Sequence, residues 1–149
     1  LDMKKIIFAI LCVIILLLAL IGCNRSAQIS YDAYEELVRN LENTGFTIEA
    51  EDVEESILIG ERKWLTLNGS DNISVYLYEN SDRMEKDASY LSNDGFSYNN
   101  GKESIDIEWV SYPHFFKSEN MIILYVGENS KIVEALEELV DPQFVGKTE

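Results

Sequence analysis

The sequence predicts an α+β fold, with an antiparallel β-sheet packed on one face by helices in the order α-βββ-α-βββ-α. Apolar residues recur at spacings of three and four in three segments, a pattern typical of amphipathic helices. Between these segments lie short runs rich in β-branched and aromatic residues, as in strands. The connections are mostly short, and short connections favour antiparallel neighbours.

The first helix is expected to start after Ser30, whose hydroxyl can cap it, and to stop at Asn43-Thr44-Gly45. Glycine at this point suits the left-handed conformation that ends many helices. The segment that follows contains expected strands at 46–48, 57–59, 63–67 and 73–78, an acidic connection at 49–55 and an Asn68-Gly69 turn.

A second helix is expected from Asn80-Ser81 to Asn93-Asp94-Gly95. Expected strands follow at 96–98, 105–110, near 114–117 and at 121–126. The last helix is capped by Asn129 or Ser130 and closed by Asp141-Pro142.

The two halves share an order of elements and several local motifs. Gly45-Phe46 matches Gly95-Phe96, Trp64 matches Trp109, and a Glu-Asn-Ser triplet follows in each half. Two interpretations stay open. One is an internal duplication, and the other is the common preference of helix caps and strand starts for these residue types.

The amino terminus combines a basic start with a short apolar run that ends at a cysteine. Lys4 and Lys5 precede an uninterrupted apolar run, 6–21, that is shorter than the roughly 20 residues a spanning helix needs. The run ends at Leu20-Ile21-Gly22-Cys23, which resembles the lipobox. That resemblance implies cleavage between Gly22 and Cys23 and diacylglycerol on the Cys23 sulfur. The alternative is an uncleaved anchor helix.

This interpretation divides the chain into a signal peptide, 1–22, a lipidated cysteine and tether, 23–30, and one α+β domain, 31–146. Cys12 leaves with the signal peptide and Cys23 is consumed by lipid, so the domain has no disulfide. It must be stabilised by an apolar core, which a domain of this size can form. The expected location is extracytoplasmic, anchored to the cell membrane by lipid.

Composition excludes several classes of function. The chain carries a formal net charge of -15, whereas a nucleic-acid binder needs a basic surface. No Walker or dinucleotide-binding glycine motif occurs, so no cofactor is expected. One histidine cannot form a multi-histidine metal site. The acidic segment 49–55 lacks the spacing of a calcium loop, and a solvated surface is its simpler explanation, as it is for Glu134, Glu137 and Glu138 on the last helix.

The segment around His114 holds the candidate site. His114 is the one residue able to perform imidazole acid–base chemistry, although no Gly-x-Ser-x-Gly motif supplies a nucleophile. The alternative role is structural. If the neighbouring side chains are exposed together, they form a partner-binding patch, because aromatic residues are enriched at interfaces. That predicted patch comprises Tyr112, Pro113, His114, Phe115 and Phe116.

Four motifs lie within 57–146: Leu65-Thr66-Leu67-Asn68-Gly69, Pro113-His114-Phe115-Phe116-Lys117, the strand ending in Tyr125-Val126-Gly127, and Pro142-Gln143-Phe144-Val145-Gly146. They resemble motifs of a family of small bacterial lipoproteins of the Gram-positive cell envelope. The resemblance covers nearly all of 57–146, although Ser111-Tyr112 and Glu119-Asn120 depart from the pattern. It implies a folded domain in the cell envelope and carries no catalytic residue.

Three functions follow from these observations. The first is a non-enzymatic lipoprotein that binds an unknown envelope protein or ligand. The second is an envelope hydrolase that uses His114. The third is an inhibitor of an envelope enzyme, suggested by the repeated α-β order and the acidic surface, since charge complementarity would favour a basic partner.

Overall fold

The computed structural model describes residue 3 and residues 28–146. The predicted signal peptide, the cleavage point at Gly22 and Cys23 and most of the tether therefore lie outside the described residues. Within 28–146 the helices are α1 (Asp32–Asn43), α2 (Ser81–Ala88) and α3 (Ser130–Leu139). The strands are β1 (Ile48–Val53), β2 (Glu61–Leu67), β3 (Asp71–Leu77), β4 (Ser97–Asn99), β5 (Ser104–Asp106), β6 (Pro113–Ser118), β7 (Met121–Val126) and β8 (Val145–Gly146).

The main sheet has six antiparallel strands in the order β1-β2-β3-β7-β6-β8, and β4 and β5 form a separate hairpin. This confirms the predicted α+β class and its antiparallel sheet. β3 and β7 lie at the centre, where Ile73 pairs with Tyr125 at one end and Leu77 pairs with Met121 at the other. These two pairs define the two ends of the sheet.

The helices cover both faces of the sheet rather than the single face that was expected. Alternate residues of a strand point to opposite faces. Val75 and Ile123 pack in one buried cluster with α1 and α3, whereas Tyr76 and Ile122 pack in a second cluster with α2 and the β4–β5 hairpin. Because the central strands are apolar on both sides, each face has to be covered.

The two halves of the chain match only in part. The β2–β3 and β6–β7 pairs lie at corresponding places on either side of the sheet centre. In contrast, β1 joins the main sheet, whereas β4 and β5 pair only with each other, and α1 and α2 lie in different core clusters. Internal duplication therefore stays a prediction.

Several element boundaries differ from expectation. The acidic segment 49–55 is mostly β1, an exposed edge strand whose carboxylates discourage pairing with another chain. The expected strand at 57–59 is a loop, and the strand expected at 105–110 ends at Asp106. α2 ends at Ala88, because Leu91 beyond it forms a bridge with Tyr98 of the hairpin. Tyr31 rather than Ser30 is the cap position of α1.

A buried carboxylate joins α2, the hairpin and the loop before β2. Asp87 is 2% exposed and accepts hydrogen bonds from the Tyr78 and Tyr98 hydroxyls, both at 2.7 Å, and from the Ile59 backbone N–H at 2.8 Å. Three donors compensate the charge of a group that would otherwise be costly to bury. Burial, with the bond to Asp87 second, raises the pKa of Tyr98 to about 12.

Replacing this carboxylate should be strongly destabilising. Asp87→Ala leaves two buried tyrosine hydroxyls and the Ile59 N–H without their acceptor, so we expect the free energy of unfolding to fall by about 3 kcal/mol in urea titrations. Asp106→Ala, at an exposed position of β5, should change it by less than about 0.5 kcal/mol. Equal losses in the two variants would show that the bonds to Asp87 contribute little.

Stability should also decline in alkali. The pKa of Tyr98 is about 12 in the folded chain against 10.0 ordinarily, so the unfolded chain loses this proton first as pH rises. The free energy of unfolding should therefore fall from about pH 10 until the pH passes about 12. Tyr98→Phe should make that fall shallower, although the variant is less stable near neutral pH. An unchanged pH dependence in Tyr98→Phe would contradict the coupling.

Candidate binding site

The segment predicted as an aromatic patch lies on β6, and the sheet separates its side chains. Phe115 and Phe116 are buried on opposite faces, in the second and the first core cluster respectively, and Pro113 is also buried. Tyr112 is 43% exposed and His114 is partly exposed. The five-residue patch is therefore not formed, because successive side chains of β6 point to opposite faces and Phe115 and Phe116 are each buried in a core cluster.

His114 is held by two hydrogen bonds and a ring contact. Its Nε2 lies 3.0 Å from the Gly127 carbonyl oxygen, and its Nδ1 lies 2.8 Å from the side-chain oxygen Oε1 of Gln143. A carbonyl can only accept, so Nε2 carries a hydrogen. The imidazole also stacks on Tyr125, with ring centroids 5.8 Å apart. These contacts fix the ring in one orientation.

Tyr125 links this site to the start of α3. Its hydroxyl donates to Asp71 at 3.1 Å and accepts from the Asn129 backbone N–H at 3.0 Å, while the Asn129 side chain caps the helix. Burial raises the pKa of the Tyr125 hydroxyl, although the Asn129 bond opposes the shift. A side chain at Gly127 would collide with the Tyr125 ring. Glycine is therefore required at position 127, directly after β7, where the backbone carbonyl accepts the hydrogen bond from His114.

A cavity of about 730 Å³ opens beside the imidazole, which we call the His114 cavity. It lies near the end of the sheet where Ile73 pairs with Tyr125, between the β6 edge, α3 and the segment that follows α3. Its lining combines aromatic, amide, hydroxyl and carboxylate groups, from Tyr112, His114, Gly127, Glu128, Ser130, Val133, Glu134, Glu137, Pro142 and Gln143.

The charge of the His114 cavity has one sign. Glu128, Glu134 and Glu137 contribute carboxylates to the lining, and no lysine or arginine lies among its residues. Glu134 and Glu137 were expected on the outer, solvated side of the last helix, and they are exposed as expected. Their position nevertheless brings them to the cavity. Such a lining favours a ligand with a cationic group over an anionic one.

The geometry does not bring a nucleophile to His114. Among residues 28–146, no serine hydroxyl, aspartate or glutamate hydrogen-bonds to the imidazole, whose two nitrogens face Gln143 and Gly127. A general base needs the group it deprotonates within hydrogen-bond reach. In this arrangement the imidazole serves to hold Gln143 against the end of β7.

Gln143 is the site residue that sequence reasoning missed. It lies after α3, in the Pro142–Gly146 motif that contributed to the family resemblance, but nothing in the spacing pointed to His114. The pairing arises because β8 adds to the free edge of β6, with Gly146 opposite His114. The short tail thereby places an amide beside the imidazole.

Two further findings concern the rest of the described chain. Within 28–146, including the acidic segment of β1, no group of three or more histidine, cysteine, aspartate or glutamate side chains could hold a metal ion. No helix in this part of the chain has both the length and the apolar character needed to cross a bilayer.

Comparisons with protein-family models, with curated proteins and with solved structures gave no match. The function proposed below therefore rests on the geometry of the site and on the amino-terminal sequence.

Proposed function

We propose that this protein is a lipid-anchored, extracytoplasmic binding module whose ligand site is the His114 cavity. The observation that carries the proposal is the combination of an immobilised imidazole with a cavity lined by carboxylates and by no basic side chain other than His114. A rigid polar floor and charges of one sign at the rim are features of a binding site. The ligand class that fits is a cationic group, such as a basic side chain of an envelope protein.

The amino-terminal sequence supports the location. Lys4, Lys5, the apolar run 6–21 and the Gly22-Cys23 pair resemble a lipoprotein signal in the required order. Acyl chains on Cys23 would contribute about 0.8 kcal/mol per buried CH₂, and two or more chains make attachment durable. The short tether from Cys23 would then hold the folded domain close to the membrane surface.

Inhibition of an envelope enzyme is a special case of this proposal, in which the basic partner is the enzyme. The hydrolase alternative is less well supported, because the imidazole nitrogens are engaged by Gln143 and Gly127. The same cavity would serve a binding protein or an inhibitor, so both share one direct test of ligand class.

A short arginine peptide should bind the full chain in detergent micelles, as measured by calorimetry. Glu134→Gln with Glu137→Gln should lower the affinity for the peptide by about tenfold, because two carboxylates are removed from the cavity rim. Binding should weaken further as salt is raised, since exposed charges are screened.

The matched control is Glu36→Gln with Glu42→Gln, which removes the same charge from exposed positions of α1. This pair should change the affinity by less than about twofold. Equal losses in the two pairs would mean that the peptide senses only net charge. The His114 cavity would then not be the ligand site.

Lipid attachment has a separate test. Cells producing the wild-type chain should incorporate a fatty-acid analogue into it, and Cys23→Ser should abolish labelling, because serine offers no thiol for the thioether. Cys12→Ser should keep full labelling, since Cys12 belongs to the predicted signal peptide. Equal labelling of wild type and Cys23→Ser would refute the anchor.

A further inference from the structure

A second cavity, of about 640 Å³, lies near the other end of the sheet, close to the point where the chain joins the folded domain. Ile29 lines this cavity, as does Leu77, which pairs with Met121 at that end of the two central strands. The Asn120 side-chain amide donates to the Ser30 carbonyl at 3.1 Å and to the Tyr78 carbonyl at 2.7 Å. The backbone at Ser30, near the start of the described segment 28–146, is thereby fixed beside the cavity.

Basic side chains converge on this cavity although the chain as a whole is strongly acidic. Arg83 and Lys86 come from α2, and Lys102 comes from the β4–β5 turn. The Lys102 position is fixed by its turn, where the Asn100 side chain accepts from the Lys102 and Glu103 backbone N–H groups. Two distant parts of the sequence thus present cations at one place.

The carboxylates that line the same cavity already have partners. Glu61 lies 2.8 Å from the Lys63 ammonium and accepts from the Tyr31 hydroxyl. Glu79 pairs with Arg83 at 3.1 Å. Asp87 is buried and accepts the three hydrogen bonds described above.

Lys86 and Lys102 differ from these groups. In the part of the chain that the structure describes, neither ammonium forms an ion pair. They are therefore the charges at this cavity that remain available to an external anion.

An exposed apolar side chain adjoins the two lysines. Ile59 lines the same cavity and is 71% exposed, while its backbone N–H is fixed to Asp87. An apolar side chain flanked by lysines is a common arrangement at the bilayer interface. The apolar side chain enters the boundary of the acyl chains, and the lysine ammonium groups contact the lipid phosphates. We call Ile59, Arg83, Lys86 and Lys102 the tether-side surface.

Chain length relates this surface to the membrane. Ile29 lies six positions after Cys23 along the chain, and six steps span at most roughly 20 Å when fully extended. With lipid on Cys23, the end of the domain that carries Ile29 cannot leave the vicinity of the headgroups. The His114 cavity lies near the opposite end of β3 and β7.

We propose that the tether-side surface is the membrane-contact surface of the domain, and that Lys86 and Lys102 bind the phosphate groups of anionic lipids while Ile59 enters the interface. This proposal rests on the lipid anchor of the proposed function. It assigns an orientation in which the His114 cavity points away from the bilayer, toward partners.

The test uses the full lipidated chain reconstituted in vesicles of equimolar phosphatidylglycerol and phosphatidylcholine. Ile59→Cys carries a polarity-sensitive fluorophore, and acrylamide reports its accessibility from water. We expect acrylamide quenching to fall by about twofold or more relative to vesicles of phosphatidylcholine alone. Lys86→Glu with Lys102→Glu should restore the quenching. The matched label at Val110→Cys, which is fully exposed, should be quenched equally in all samples.

Each other outcome has a distinct meaning. Wild-type chain that fails to float with the vesicles would overturn the lipid anchor and the surface together. Chain that floats with the label at position 59 equally quenched in both vesicle types would overturn the surface alone. Free glycerol phosphate that shields position 59 as well as the vesicles do would assign the cavity to a soluble phosphate and contradict membrane contact.

Discussion

The pairing of β3 with β7 is the constraint on which the rest of the structure depends. Consecutive residues of both strands are apolar, so Val75 and Tyr76, like Ile122 and Ile123, belong to opposite core clusters. Two separate layers must then cover the sheet, α1 with α3 on one face and α2 with the β4–β5 hairpin on the other. The two large cavities lie one near each end of the central strands, one lined partly by α2 and the other partly by α3.

Charge distinguishes the two ends of the domain. The His114 cavity is lined by carboxylates, whereas two lysines without an ion pair in the described part of the chain lie at the other end, beside the start of the domain. An acidic domain is repelled as a whole by an anionic membrane. In the proposed arrangement, a lipid tether together with a local basic surface would overcome that repulsion at one end only and would thereby set the orientation.

The sequence predicted the α+β class, the antiparallel sheet and β7, because these depend on local periodicity. It expected all helices on one face, whereas α2 covers the other, since apolar residues on both sides of β3 and β7 do not say which helix covers which face. It mistook β1 for a connection, because an edge strand with exposed carboxylates lacks the usual alternation.

At the site, His114 was singled out because it is the one histidine of the sequence, whereas Gln143 reaches it only through the pairing of β8 with β6. Lys86 and Lys102 converge through α2 and a turn, a proximity that no spacing reveals.

Hydrogen–deuterium exchange of the full lipidated chain, on anionic vesicles with and without a short arginine peptide, tests the central claim most directly. Vesicles should slow exchange around Ile59 and Lys102 and leave Gly127 and Gln143 unchanged. The peptide should slow exchange at Gly127 and Gln143 without altering the first set. In the proposed arrangement, the domain contacts the membrane at one end and its ligand at the other. That arrangement would be contradicted if vesicles alone protected both ends from exchange. It would also be contradicted if vesicles and peptide protected the same segment.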